Sequence, residues 1–280
     1  MQTNTYPRLI ACDLDGTLLN SKKEMSQDLT QTLEALMEQG IWFVPVTGRC
    51  FQAVPSQVLS LSGLRYVVTS NGAAADDCKT QKRLFTTSLP SKEVSHLFHT
   101  YFPLPILTEV FLDGHAYIDQ AAWDQLDQFG LSETSYHYVR RTRKPVEHLP
   151  AFVSDHVQEL ENINLVFRDP ALRLQTLSKL QQNPAITVTS SSAANLEITH
   201  PCATKGHALQ TICNLLHLSP QDVVAFGDSP NDADMLRFTP HSYAMAGGSA
   251  EILQTAAHTT SSCDEEGVLV ALREIFHKIL

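Results

Sequence analysis

Two carboxylates spaced two residues apart stand near the start of the chain, in the stretch LIACDLDGTLLN of residues 9–20. An apolar run leads into Asp13, as in a buried strand that ends there, and Gly16 directly follows Asp15. Ionised carboxylates are costly to bury unless a partner offsets their charge. The pair therefore lies in a solvated turn, or it belongs to a site that holds a cation.

Polar residues also follow three other apolar segments that have the length of strands. They are TGR (47–49), SNG (70–72) and GDSPND (227–232), and Lys205 stands at the start of a helical pattern. The carboxyl ends of parallel strands share one edge of a sheet, and α/β proteins bind their ligands there. Carboxylate, hydroxyl and amide groups at such an edge, together with one lysine, suit a hard cation and an oxyanion.

The chemistry that fits this set is phosphoryl transfer with Mg²⁺, which binds one or two carboxylates and keeps water and phosphate in its shell. A carboxylate can attack phosphorus and split hydrolysis into two steps through an aspartyl-phosphate. A second carboxylic acid can protonate the leaving oxygen and then activate water. Asp13 and Asp15 supply such a pair.

Strand and helix patterns alternate at both ends of the chain and would position these residues. Apolar runs predict strands over 8–12, 41–46, 65–72, where the last residues are a turn signal, and 223–228. Helices are predicted from Ser26, as an N-cap, to Gly40 and from Lys205 onward. The residues predicted to face the core are Leu29, Leu33, Leu36 and Met37 in the first helix and Ala208, Leu209, Ile212, Leu215 and Leu216 in the second. This alternation predicts βαβ units and a parallel sheet.

The middle of the chain, from about Leu84 to Ser190, has a different pattern. Hairpin-like pieces occur there, one with a turn signal at Asp113–Gly114, among longer amphipathic segments. We therefore predict an α/β core of residues 1–85 and 190–280, interrupted by an α+β cap of residues 86–189. Such a cap would close over the strand ends, exclude water and select the substrate.

Composition narrows the classes of partner. The 280 residues carry a net charge of -10, which argues against non-specific binding to nucleic acid or to an anionic membrane. The six cysteines form no CxxC pair, and no apolar run approaches the length of a membrane span. We therefore expect a soluble cytoplasmic protein whose cysteines are reduced, while the oligomeric state stays open.

Other interpretations compete for several of these residues. Residues 13–24 have the length of an EF-hand loop, but Leu18 stands where that loop needs glycine and a strand precedes Asp13. The basic run RRTRK (140–144) is either a solvated loop or, on a cap, a clamp for a second anionic group of the substrate. The aromatic residues of the insert are expected to form its own core; they are Tyr117, Trp123, Phe129, Tyr136 and Tyr138.

Taken together, DLDGTLL, VTGR, KG and GDSPND resemble, in order, the four signature motifs of the haloacid dehalogenase-like hydrolase superfamily. SNGA after the third strand and the large insert resemble its Cof-type branch of small-molecule phosphatases. The resemblance covers both core segments and implies a Rossmann-like parallel-sheet core with an inserted cap. One departure is MAGGSA (245–250), where that branch usually carries Met-Gly-Asn-Ala.

The resemblance implies Mg²⁺-dependent hydrolysis of a small phosphate monoester, a sugar phosphate or related metabolite, through an aspartyl-phosphate. Asp13 would be the nucleophile and a metal ligand, and Asp15 the general acid/base with its main-chain carbonyl on the metal. Asp228 would be the remaining metal carboxylate. The acid at Asp15 favours phosphate esters over carbon–halogen bonds, since the dehalogenases lack it.

The resemblance also implies a set of residues around the transferring phosphoryl group. These are Thr47, the Gly48 amide, Lys205, Asn231 and the Leu14 amide. Asp232 would support Lys205 or the metal waters, and Arg49 and Asn71 are candidates for contact with the substrate. The alternatives left open are a phosphotransferase or phosphomutase on the same scaffold and a non-catalytic sensor of a phosphorylated ligand.

Overall fold

The computed structural model describes residues 6–280, in which strands and helices alternate along most of the chain. The strands are β1 (Leu9–Cys12), β2 (Trp42–Pro45), β3 (Tyr66–Thr69), β4 (Ala74–Asp77), β5 (Lys82–Thr86), β6 (Ile106–Leu112), β7 (His115–Asp119), β8 (Arg143–Val146), β9 (Asn162–Phe167), β10 (Thr187–Thr189), β11 (Asn195–Thr199), β12 (Val223–Gly227), β13 (His241–Met245) and β14 (His258–Thr260). The helices are α1 (Gln27–Glu38), α2 (Ser56–Leu59), α3 (Ser91–Tyr101), α4 (Gln120–Asp124), α5 (Glu133–Thr142), α6 (Leu149–Asp155), α7 (Pro170–Leu180), α8 (Lys205–Leu215), α9 (Ala233–Phe238), α10 (Ala250–Thr255) and α11 (Gly267–Ile275).

A five-stranded parallel sheet in the order β14-β13-β12-β1-β2 forms the centre of the first unit. Its two faces are both buried: Ile10 and Cys12 belong to one apolar cluster, whereas Leu9 and Ala11 belong to another. Burial on both faces is typical of parallel strands that are covered by helices. β3 lies beside β2, where Val46 and Val68 form a parallel bridge, and it pairs antiparallel with β4. The predicted fold class is confirmed.

Two helices of this unit can be compared with the core-facing residues that the spacing of apolar residues predicts. α1 begins after Ser26, whose Oγ accepts a hydrogen bond from the Leu29 amide at 3.1 Å, as predicted. The prediction that Leu215 faces inward is wrong, because its side chain is 51% exposed. The buried face of α8 runs instead through Ile212 and Cys213, so Leu215 in the last turn points to solvent.

A six-stranded sheet in the order β10-β11-β9-β6-β7-β8 forms the second unit. Ile106 and Val110 on one face pack in a cluster with apolar residues of α3, α6 and α7. Phe111, on the other face, packs with Cys50 and Ala53 of the first unit. This second face is therefore turned toward the strand ends of the parallel sheet.

The chain crosses between the two units after β5 and again after β11. β11 pairs with β9 and β10 of the six-stranded sheet and ends at Thr199. The division into core and cap remains a proposal, and sheet membership would place its second boundary near residue 200 instead of 190. In the described part of the chain, no helix combines the length and apolarity needed to cross a lipid bilayer.

Candidate active site

Lys205, the first residue of α8, lies between two carboxylates that follow neighbouring strands. Its Nζ donates to Asp13 Oδ1 and to Asp232 Oδ1, each at 2.6 Å, and all three residues are buried. Burial would lower the pKa of Lys205, but the two carboxylates raise it above its usual range. The lysine is therefore a fixed cation at the edge of the sheet.

Asp232 has both of its carboxylate oxygens occupied by N–H donors. Oδ1 accepts from Lys205, and Oδ2 accepts from the main-chain amides of Asp228 and Ser229, each at 2.9 Å. Saturated in this way, Asp232 orients the lysine and the loop. Asp13 and Asp228 are left with oxygens that can face a cation.

The carboxylates around this loop fit a divalent metal ion. One oxygen each from Asp13, Asp228 and Asp232 lies within 4.8 Å of the others. Burial and then the charge of Asp232 raise the pKa of Asp228 to about 6, although Lys205 lowers it. Burial also raises the pKa of Asp13, despite the opposing effect of Lys205. Mg²⁺ binds carboxylate oxygens, and the positive charge of the ion would offset the repulsion between these neighbouring carboxylates.

Gly16 allows the segment DLDGTLL to approach the segment GDSPND closely. Its φ is +86°, and a Cβ added there would lie 2.5 Å from Asp228 Oδ2. Thr17 Oγ1 donates to the other oxygen, Asp228 Oδ1, at 3.3 Å. The turn after β1 therefore holds the Asp228 carboxylate from two sides.

Asp15 lies beside this cluster and is held by two cations. Arg49 donates to both of its oxygens, and Lys23 Nζ lies 2.8 Å from Oδ1. Arg49 also donates to the carbonyl of Ala53 at 2.7 Å, and its guanidinium carbon lies 5.0 Å from the ring centroid of Tyr138. Lys23, in a polar turn, was not predicted as a site residue.

The TGR and SNG segments are joined by main-chain hydrogen bonds. Asn71 and Ser70 donate their main-chain amides to the carbonyls of Thr47 and Arg49, at 3.0 and 2.8 Å. A Cβ on Gly48 would lie 2.9 Å from Asn71 Oδ1, so the two loops touch closely. Both Ser70 and Asn71 have left-handed backbone conformations, with φ of 51° and 57°.

Asn71, a predicted substrate contact, links three parts of the chain by its side chain. It accepts from Asn231 Nδ2 at 2.9 Å and donates to Glu197 Oε2 of β11 at 3.0 Å. Leu14 has a fully buried side chain, so only its main chain can contribute to the site. The structure thus brings the predicted residues of the four motifs into one region.

A cavity of about 830 Å³ lies between the two sheets, at the strand ends. Predicted site residues that line it are Asp13, Asp15, Thr47, Gly48, Arg49 and Asn231. Its other wall includes Arg143 of the basic run and three polar residues that sequence reasoning missed, namely Glu109, Asn164 and Glu197. Their signal was a carboxylate or amide side chain within a strand-like segment, as in ILTEVFL, NINLVF and NLEIT.

The basic run 140–144 spans the end of α5 and the start of β8. Arg143 is buried against Glu109, and the guanidinium of Arg140 lies over the Trp123 ring. Arg141 is exposed and lines the cavity. Tyr138 packs with Phe111 and Ala116 of the insert, as expected, and also with Cys50 and Ala53 of the first unit.

Several known proteins similar to this chain are named phosphatases. A family model described as haloacid dehalogenase-like hydrolase matches residues 10–272. Phosphatase YwpJ of Bacillus subtilis (strain 168) is 26% identical over 290 residues, a match that covers 96% of this chain and 99% of the relative. YitU of the same organism, named 5-amino-6-(5-phospho-D-ribitylamino)uracil phosphatase, is 28% identical over 280 residues, with 97% and 98% covered.

Solved structures share the fold over almost the whole chain. A haloacid dehalogenase-like hydrolase from B. subtilis has a TM-score of 0.85 and 25% identity, and the match covers 96% of this chain and 99% of that one. The subclass IIB sugar phosphatase BT4131 has a TM-score of 0.81 at 18% identity, with 98% and 100% covered.

Proposed function

This chain belongs to the haloacid dehalogenase-like hydrolase family and to its phosphatases, and from that premise we propose that it hydrolyses small phosphate monoesters with Mg²⁺ through phospho-Asp13. The observation that carries the proposal is the contact of Lys205 with Asp13, beside the carboxylate of Asp228. A nucleophile, a fixed cation and a cation site then meet at one point, which phosphoryl transfer requires.

In the first step, an oxygen of Asp13 bonds to phosphorus while the bond from phosphorus to the ester oxygen breaks. Asp15 gives its proton to the departing oxygen, so the alcohol leaves neutral. A water molecule then attacks the phosphorus of phospho-Asp13 and loses a proton to Asp15. This second step releases inorganic phosphate and restores both carboxyl groups.

Mg²⁺, held by Asp13, Asp228 and the Asp15 carbonyl, would supply charge neutralisation between the nucleophile and the phosphoryl group. Lys205, in contact with Asp13, supplies a fixed positive charge. The residues that would hold the phosphoryl oxygens are Thr47, the Gly48 amide, Asn231 and the Leu14 amide. Asp232 keeps Lys205 oriented, as its two hydrogen-bonded oxygens suggest.

The cavity supports a small metabolite as substrate. About 830 Å³ between the sheets accommodates a molecule of the size of a sugar phosphate or nucleotide. The relative YitU, 28% identical, is named for a phosphorylated ribitylamino compound. We place the reaction in the cytoplasm, because all six cysteines are unpaired and a reducing compartment keeps them so.

The direct test is Asp13→Asn, which keeps the size of the side chain and removes the nucleophile. We expect turnover of p-nitrophenyl phosphate to fall to background in this variant. Asp127→Asn, which changes an exposed carboxylate of the second unit, is the matched control and should keep wild-type turnover. EDTA should abolish the wild-type activity, and excess Mg²⁺ should restore it. Full activity of Asp13→Asn would refute the mechanism.

The same assay separates the competing functions. Free phosphate released in equal amount to the alcohol indicates a hydrolase. Alcohol released without phosphate, in the presence of a second hydroxyl compound, indicates a phosphotransferase. A phospho-Asp13 that persists for minutes without turnover would favour a sensor.

A further inference from the structure

Three polar residues form a row across the face of the six-stranded sheet that borders the cavity. Glu109 of β6 pairs in register with Asn164 of β9, and Asn164 pairs with Glu197 of β11. Residues at matching positions of adjacent strands project from the same face. All three are buried and line the cavity, opposite the proposed phosphoryl site.

Arg143 joins this row as a buried and neutralised cation. Its Nη2 donates to Glu109 Oε2 at 2.8 Å, and the two side chains are 5% and 1% exposed. Asn164 Nδ2 donates to the same oxygen, also at 2.8 Å. Glu109 therefore cancels the charge of the one arginine that the row holds.

The pair keeps hydrogen-bonding capacity that the described residues do not use. Glu109 Oε1 and Arg143 Nε are both buried, and neither has a partner in the described part of the chain. Buried polar atoms are almost always paired, so unpaired atoms of two residues that line the cavity point to a ligand. A carboxylate oxygen accepts from a hydroxyl, and a guanidinium N–H donates to a hydroxyl or ring oxygen.

The remaining charges on the cavity wall do not replace the neutralised cation. Lys22, Lys23 and Arg141 line the cavity but are exposed, so water and salt screen them. Arg49 is buried, yet Asp15 already occupies its guanidinium. A second anionic group in this part of the cavity would therefore face the carboxylates of Glu109 and Glu197 without a free buried cation.

Resting on the proposed function, we propose that Glu109 is a specificity-determining residue, which with Arg143 selects neutral, hydroxylated leaving groups and rejects a second anionic group. Glu109 and Arg143 would contact the leaving group of the substrate, whereas Asp13, Asp228 and Lys205 act on the phosphoryl group. The basic run 140–144 then does not act as a clamp for a second phosphate, because its buried member is already paired.

The test compares kcat/KM for a hexose 6-phosphate with that for the corresponding hexose 1,6-bisphosphate. In Glu109→Gln the side chain keeps its length and one acceptor, but Arg143 loses its counter-charge. We expect the preference for the monophosphate to fall at least about tenfold, because a buried cation becomes available to the second phosphate. Glu159→Gln, the same change at a cap carboxylate that is 58% exposed, should leave the preference unchanged.

A second variant keeps the inference testable if Glu109→Gln does not fold. Glu109→Gln/Arg143→Gln removes both charges together, which avoids an unpaired buried ion. We expect this variant to show no gain for the bisphosphate, and its preference for hexose 6-phosphate over phenyl phosphate should fall about tenfold. If the double variant kept the wild-type preference for hexose 6-phosphate over phenyl phosphate, the inference would be overturned.

Three further outcomes separate this inference from the proposed function. Equal losses on monophosphate and bisphosphate in Glu109→Gln would mean that the pair only supports the fold, and so would refute the inference alone. Wild-type protein that prefers the bisphosphate would also refute it. Wild-type protein that releases phosphate from none of these esters, with Mg²⁺ present, would refute the proposed function and the inference with it.

Discussion

Asp15 and Arg49 form a two-point ion pair, with Nε 2.6 Å from Oδ2 and Nη2 2.7 Å from Oδ1. Burial alone would raise the pKa of Asp15, but hydrogen bonds and charge from Arg49 and then Lys23 lower it to about 2. The carboxyl group is therefore ionised at neutral pH in this state. To protonate a leaving oxygen, it must first leave this pair and gain a proton.

Replacing Asp15 by asparagine should separate the two proton transfers assigned to it. With a sugar phosphate, whose alkoxide is a poor leaving group, we expect kcat to fall about 10²–10⁴-fold. With p-nitrophenyl phosphate, the first step needs little acid catalysis, so one equivalent of nitrophenolate should appear in a burst before turnover stalls. Rapid-mixing absorbance measures both phases. Steady turnover of the aryl ester at the wild-type rate would rule out Asp15 as the base for water.

Gly16→Ala should lower activity by disturbing the proposed metal site, in addition to lowering the free energy of unfolding. Alanine at a positive φ costs about 1–2 kcal/mol, and a Cβ here also meets Asp228 Oδ2 at 2.5 Å. We expect kcat/KM to fall about 100-fold, as for a misplaced catalytic group, and the Mg²⁺ concentration needed for half-maximal activity to rise.

Gly40→Ala is the matched control for that substitution. Gly40 has the same φ of +86°, but a Cβ there meets nothing within 4 Å. Urea unfolding should show similar losses of stability in the two variants, while only Gly16→Ala loses activity. Equal losses of activity would show that backbone strain, and not contact with Asp228, explains the effect.

Asp232→Asn should destabilise the fold strongly. Asp232 is fully buried, both of its oxygens accept from N–H donors, and an amide offers only one acceptor. Breaking one partner of a buried ion pair costs about 3–5 kcal/mol in the free energy of unfolding. The urea midpoint measures that loss.

An exposed ion pair provides the comparison for Asp232. Glu251 lies 3.7 Å from Arg237, and both side chains are more than half exposed. Glu251→Gln should change the free energy of unfolding by less than about 1 kcal/mol. If Asp232→Asn lowered the free energy of unfolding no more than Glu251→Gln does, the hydrogen bonds of Asp232 would not stabilise the loop that carries Asp228.

Magnesium should stabilise the protein less as the pH falls. The folded, metal-free protein has an Asp228 pKa of about 6, raised from 3.8, so between these values it holds a proton that the unfolded chain lacks. Stability of the metal-free fold then increases as the pH is lowered through 6, and Mg²⁺ must displace that proton to bind.

Thermal unfolding with and without Mg²⁺ checks this expectation. The magnesium-induced rise in Tm should be large at about pH 7.5 and small at about pH 5, because protons compete for the carboxylate. Asp228→Asn should show little rise at either pH. An equal rise at both pH values in the wild type would contradict the assignment of Asp228 as a ligand.

The sequence was sufficient for the features that depend on short segments in chain order. The parallel sheet, the turn at Asp113–Gly114 and the N-cap Ser26 follow from local patterns, and the structure has all three. The motif residues meet because parallel strands end at one edge, which topology alone requires. The family resemblance and the phosphatase activity it implied are confirmed by the comparisons.

Features that depend on pairing between distant segments were not predicted. NLEIT has an apolar pattern that suits either sheet, so only its pairing with β9 places β11 in the second sheet. The contact of Lys23 with Asp15 depends on how a polar turn folds back. Glu109 was overlooked because a polar residue in an apolar strand has no local signature of its partner, here Arg143.

The two left-handed residues of the SNG segment bear on any effort to make this protein more heat-resistant. Glycine would relieve the backbone at Ser70 or Asn71, because it adopts a positive φ without steric cost. Here the side chains hold the two units together, Ser70 through Glu161 and Asn71 through Glu197. Glycine at either position would remove one of these buried hydrogen bonds between the two halves, so this loop should be excluded from libraries that seek heat resistance.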